Sequence, residues 1–175
     1  MENGTGESVW ESLDVVRVFA QGALGGVLGG IAFALAQVVA AVLTGQPSWQ
    51  PLQLIASILL GDRVLMANDF TGQMLLAALL VHLVLSVTYG IILMLLAVAG
   101  LGSLAPGRSM ILVGMVWGFV LWLLNFYVIA PVAFPWFDRM SGVVQFIIHV
   151  VFYGGVLGAY LGQRLRRQHV PYTTR

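Results

Sequence analysis

A chain of 175 residues that is 59% hydrophobic, 9% charged and +1 in net charge, with a mean hydropathy of +0.94, is not built as a soluble domain, in which about 25% of residues carry charge. The composition is that of an integral membrane protein whose first partner is the lipid bilayer, and no nucleic-acid partner is expected. The chain has no cysteine, which excludes disulfides, thiolate metal sites and cysteine nucleophiles.

In chain order, residues 1–14 form an acidic segment with Glu2, Glu7, Glu11 and Asp14. The first apolar run, 15–44, is too long for the core of a cleaved signal peptide and reads as a retained span. Residues 51–70 hold the apolar run Leu52–Leu60, bounded by Pro51 and by Gly61-Asp62-Arg63. That run is too short to cross, so a short interfacial or re-entrant helix on the outer side is expected. Trp49, Trp136 and Tyr127 suit the aromatic belt on that face. Further spans are expected at 72–99, 109–131 and 141–163, with a Gly/Pro/Ser turn at 100–109 and a basic tail at 164–175 able to touch anionic lipid.

Each long run reaches the ~20 residues needed to cross ~30 Å of hydrocarbon. Backbone groups there must be satisfied internally, which favours helices; barrel strands are about half as long and alternate in polarity. The expected fold is all-α and polytopic, with residues 15–163 as a four-helix transmembrane domain. Arg17, Arg108, Arg164, Arg166, Arg167 and Arg175 fall on one side and only Arg63 and Arg139 on the other. The positive-inside rule then puts both termini in the cytoplasm.

The chain also carries an internal echo. One offset of 88 residues separates Gly26 from Gly114, Gly30 from Gly118, Gln37 from Asn125 and Pro47 from Pro135. Each of these helices is followed by one with an early histidine, His82 or His149, here 67 residues apart. Two parallel helix–loop–helix repeats are expected, related by an axis along the membrane normal.

Gln37 and Asn125 lie late in outward helices, and His82 and His149 lie early in inward ones. A rise of ~1.5 Å per residue sets all four at one depth, about 8–12 Å below the outer surface. Gly26, Gly30 and Gln37 share a helical stripe, as do Gly114, Gly118 and Asn125. Ala78, Ser86 and Gly90 flank His82, and Gln145 and Tyr153 flank His149. Polar side chains turn away from lipid, so the layer Gln37, His82, Asn125 and His149 is expected to face inward.

Three readings of that layer stand open. Imidazole N–H groups can bond amide oxygens between helices, as structural glue. His82 and His149 can supply the axial ligands of a haem b, with Gly90, Gly154 and Gly155 leaving room for a porphyrin. A proton or solute path, as in a small transporter or channel, is the third. Two histidines and two neutral amides are a poor set for a non-haem metal. No phosphate loop, nucleophile constellation or carboxylate pair is present, so enzymatic chemistry is unsupported.

Gly22-Gly26-Gly30 and Gly154-Gly158-Gly162 form small-residue stripes. Such stripes serve packing within the bundle or docking of another subunit or second copy. The segments HLVLSVTYG, PWFDRMSG and FIIHVVFYG, between Val81 and Gly155, resemble the YagU-type family of bacterial inner-membrane proteins. The resemblance implies an inner-membrane location and no particular activity. The expected role is a non-enzymatic accessory or structural subunit, in a homo-oligomer or a larger respiratory or photosynthetic complex. A haem b electron-transfer subunit or a small transporter are the alternatives.

Overall fold

The computed structural model describes residues 15–101 and 109–168. The acidic segment 1–14, Arg108 with its turn, and the tail from 169 lie outside the described residues. Within them every regular element is helical. In chain order these are α1 (Val15–Leu43), the short α2 (Gln50–Leu60), α3 (Gly72–Gly100), α4 (Ser109–Ala133) and α5 (Gly142–Gln168). All but α2 are long and apolar enough to cross a membrane. The expected spans fall on α1, α3, α4 and α5, and the last helix runs past 163 to Gln168. Arg164 and Arg166 therefore ride on its final turns rather than on a free tail.

Local chemistry explains the boundaries. α3 and α5 start on hydroxyl caps: Thr71 accepts from the Met74 N–H at 3.3 Å and Ser141 from the Val144 N–H at 3.5 Å. Each cap satisfies one of the donors that the first turn leaves orphaned. α2 opens with Pro51 and stops at Gly61, whose φ of +83° suits glycine. The segment expected as one interfacial piece at 51–70 is two, α2 and a 3-10 turn at Asp62–Met66. α2 lies on the start of α3, where Ala56, Met74, Ala77 and Ala78 are buried together. A second 3-10 turn, Pro135–Arg139, occupies the other connection at the same end. Arg63 and Arg139 sit in these turns, while Arg17, Arg164 and Arg166 lie at the opposite end.

The outer faces stay apolar. Leu35 on α1, Leu76 on α3, Val116 on α4 and Val143 on α5 are all well exposed. Soluble monomers rarely show contiguous apolar patches beyond a few hundred Å², so this exterior supports a membrane protein.

The helices meet through glycine. A Cβ on Gly26 would fall on the Ser86 carbonyl of α3, and one on Gly90 on the Gly22 carbonyl of α1. In the second pair, a Cβ on Gly114 would fall on the Gly154 carbonyl, one on Gly118 on that of His149, and one on Gly158 on that of Met110. No side chain larger than hydrogen fits these crossings, where packing takes the place of the hydrophobic drive. Gly25 and Gly29, on another face of α1, meet Leu157 and Tyr153 of α5. Helix order across the bundle is therefore α3, α1, α5, α4. The stripes that were candidates for docking a second copy are used inside the chain; Gly22, Gly26 and Gly30 face α3, Gly154 and Gly158 face α4, and Gly162 is buried.

Besides the π turn that ends α3 at Ala97–Leu101, two helices depart from regular geometry within the bundle. α4 widens into π-helical turns over Leu124–Ile129 and α5 over Ile148–Gly155. Such turns concentrate at functional sites. Here they hold Asn125 and His149.

Candidate functional site

α3 and α4, at the two ends of the helix order, make no extended contact. Between them lies a cavity of about 460 Å³, walled by all four long helices and lined at one end by α2 and the Phe134–Met140 connection. The Trp136 indole donates to the Ser57 hydroxyl at 2.8 Å, tying α2 to that connection across the cavity end. Leu80, Val84 and Ile129 line the cavity and are also exposed on the outer surface, so it opens sideways.

All four residues of the expected polar layer line this cavity, but their partners are not each other. Gln37 and Gln145 form a reciprocal amide pair, at 2.6 Å and 3.1 Å, joining α1 to α5. Both are buried, and the two-way pairing satisfies a donor and an acceptor on each. The imidazoles bond backbone carbonyls, His82 between α3 and α1 and His149 within α5. His82 donates from Nε2 to the Gly30 oxygen at 2.9 Å, and His149 from Nδ1 to the Gln145 oxygen at 2.8 Å. A carbonyl oxygen only accepts, so each contact assigns the ring proton to that nitrogen. Glycine at position 30 makes the first bond possible, since a Cβ there would lie 3.3 Å from His82 Nε2 and 2.5 Å from Ser86 Oγ. Asn125 accepts from the Tyr89 hydroxyl at 3.0 Å, linking α3 and α4.

Sequence reasoning placed Tyr153 beside His149 but not its partner, and it missed Phe33, Phe126 and Tyr89. Tyr153 donates to the Ser86 carbonyl at 2.7 Å, stitching α5 to α3 through the middle of the bundle. Phe33 touches both histidines, with ring centroids 5.6 Å from His82 and 4.8 Å from His149. Phe126 stands edge-on to His149 at 5.7 Å. Phe33 lies four residues before Gln37 and Tyr89 seven after His82, so both share a helical face with a named polar residue. In helices apolar all round, that periodicity does not distinguish a wall residue from a lipid-facing one.

These contacts bear on haem. A bis-histidine site presents both imidazoles to one porphyrin with a free nitrogen each. Here Phe33 packs on both rings, with centroids 5.6 Å from His82 and 4.8 Å from His149. The residues as arranged do not fit a shared porphyrin. Among the described residues no group of three or more His, Asp or Glu is positioned to hold a metal ion.

The second nitrogen of His149 has no hydrogen-bond partner among the described residues. It is not among the sealed, unpartnered side-chain atoms, which are the indole nitrogens of Trp117 and Trp122. The His149 side chain, only 7% exposed, lines the cavity. No family model, curated protein or solved structure matches the chain.

Proposed function

We propose that the chain is a non-enzymatic integral membrane protein of a bacterial plasma membrane, with both termini cytoplasmic. It acts as an accessory subunit in a homo-oligomer or a larger membrane complex, such as a respiratory or photosynthetic assembly. The observation that carries this reading is that the interior chemistry is structural. The Gln37–Gln145 pair, the histidine-to-carbonyl bonds and the Tyr153–Ser86 bond all join helices or stiffen one. The described part of the chain consists of four span-length helices and their short connections. The likeness of its later helices to the YagU-type family agrees with an inner-membrane location.

The bundle is read as two copies of one hairpin, α1 with α3 and α4 with α5. Equivalent crossings support this: Gly26 on Ser86 matches Gly114 on Gly154, and Gly90 on Gly22 matches Gly158 on Met110. The members on α1 and α4, Gly26 with Gly114 and Gly22 with Met110, keep the 88-residue offset, while Ser86 and Gly154, like Gly90 and Gly158, are 68 apart. The histidines are 67 apart. The π turn over Ile148–Gly155 lies where the extra residue must be absorbed.

The test is the mass of the particle that holds the chain when native membranes are gently solubilised and run on a non-denaturing gel. A particle larger than the monomer is expected. Migration as a lone monomer under conditions that preserve known complexes overturns the accessory role.

A further inference from the structure

We propose that the cavity between α3 and α4 binds a neutral phenolic lipid, a hydroquinone-type head on an apolar tail, which comes in sideways from the hydrocarbon. The proposal rests on the reading that the chain is embedded in a membrane, and it names the ligand class of the site described above.

Size and lining point to a small lipophile. The cavity of about 460 Å³ lies within the ~300–1,000 Å³ of small-molecule sites. No Asp, Glu, Lys or Arg lines it, so a charged head would be left without a counter-charge in a low-dielectric setting. Aliphatic side chains, including Leu80 and Val84 of α3 and Ile129 of α4, form its open side. At the other end α2 is held to the Phe134–Met140 connection by the Trp136–Ser57 bond. The exposed aliphatic lining gives the cavity a side that faces hydrocarbon.

The polar end selects the head. The Gln37–Gln145 pair is closed on itself, and Tyr89 and Tyr153 have acceptors. His149 donates from Nδ1 to the Gln145 carbonyl and His82 from Nε2 to the Gly30 carbonyl, so the other nitrogen of each ring is a lone-pair acceptor with no partner among the described residues. Asn125 accepts at Oδ1, and its amide nitrogen is likewise without a partner there. Two acceptors and one donor in an apolar pocket call for a group that both donates and accepts, namely a hydroxyl. Phe33 and Phe126 stand near-perpendicular to the His149 ring, at 90° and 89°. Tyr89 and Phe137 complete an aromatic wall. A flat aromatic head gains edge-to-face contact there that an aliphatic alcohol does not. The widened turns of α4 and α5 flank this end.

The test uses the whole chain in phosphatidylcholine nanodiscs, titrated with 4-decylphenol, with its methyl ether 4-decylanisole, and with tetradecanol. Binding is measured against empty discs. One saturable site per chain is expected for the phenol, about tenfold tighter than for the anisole, the scale of one hydrogen bond, and tighter than for the alcohol. His149→Phe keeps an aromatic ring and should erase the phenol–anisole difference. Leu80→Trp, on the exposed rim, should abolish saturable binding while leaving the melting temperature in place. Non-saturable uptake, equal affinity for phenol and anisole, equal affinity for phenol and tetradecanol, or a preference that survives His149→Phe overturns the proposal. The particle mass of native membranes bears on the accessory role alone, so the two readings fail separately.

Discussion

Neighbouring glycines in α5 offer a test of what holds the bundle. A Cβ on Gly154 would land on the Gly114 carbonyl oxygen, 2.9 Å from its carbon and 3.1 Å from the Met115 Cα. All three atoms are backbone of a packed helix, so Gly154→Ala forces α4 and α5 apart. Overpacking of this kind costs about 1–3 kcal/mol, set against about 0.5–1 kcal/mol gained by replacing a helical glycine with alanine. A Cβ on Gly155 would meet nothing closer than the Val150 oxygen at 3.8 Å. Gly155→Ala therefore collects the helical gain with no steric charge against it. Reversible unfolding in mixed micelles against SDS mole fraction, followed by circular dichroism, should separate the two variants by the overpacking cost of about 1–3 kcal/mol. Gly154→Ala is expected to be the less stable and Gly155→Ala to match or exceed the parent. Equal stabilities, or the reverse order, would refute close backbone contact between α4 and α5 as the source of their cohesion.

Other outcomes follow from the site. Gln37→Leu strands the Gln145 amide, so a double-mutant cycle with Gln145→Leu should return a coupling of about 1 kcal/mol, two bonds at ~0.6 kcal/mol each; additive losses count against the reciprocal pair. Trp136→Phe removes the tie to Ser57, worth about 1 kcal/mol, so amide exchange in Gln50–Leu60 should quicken several-fold with α1 unchanged; equal protection in both proteins contradicts the tie. Protein purified from haem-replete cells should show no Soret band, and a band lost on either His82→Ala or His149→Ala would mean that Phe33 vacates its place. Since the chain is free of cysteine, Ser48→Cys and Asp138→Cys should react with an impermeant maleimide on intact cells and Gln163→Cys should not; the opposite pattern reverses the proposed orientation.

Much of this architecture was legible because lipid imposes a simple rule. Long apolar runs without charge become helices whatever their detailed order, so α1, α3, α4 and α5 stood out. The brevity of Leu52–Leu60 marked α2. Gly26, Gly114 and Gly158 were readable as packing positions because small residues are rare where nothing approaches. Partnership was not readable. Nothing in the spacing joins Gln37 to Gln145, since the pair depends on how α1 and α5 cross. Gly25 and Gly29, which seat α5 on α1, were lost among the stripe that faces α3. Phe33 had no contrast against apolar neighbours, although it shapes the cavity, and the Ser86 carbonyl as partner of Tyr153 was not readable. The docking of α2 upon α3 rests on Ala56 and Ala78, residues that carry no sequence signal of contact.

The π turn of α5 has a consequence for how such a bundle tolerates change in length. A residue added to an α-helix swings everything beyond it by about 100°, enough to turn a buried seam toward lipid. Gly154 stands five positions after His149, whereas Ser86 stands four after His82, yet Gly154 and Gly158 still meet α4 as Ser86 and Gly90 meet α1. The widened turn takes up the surplus and returns the helix to phase. Each end of α5 is thereby free to answer to a different neighbour, with the histidine set for the cavity and the glycines set for the seam.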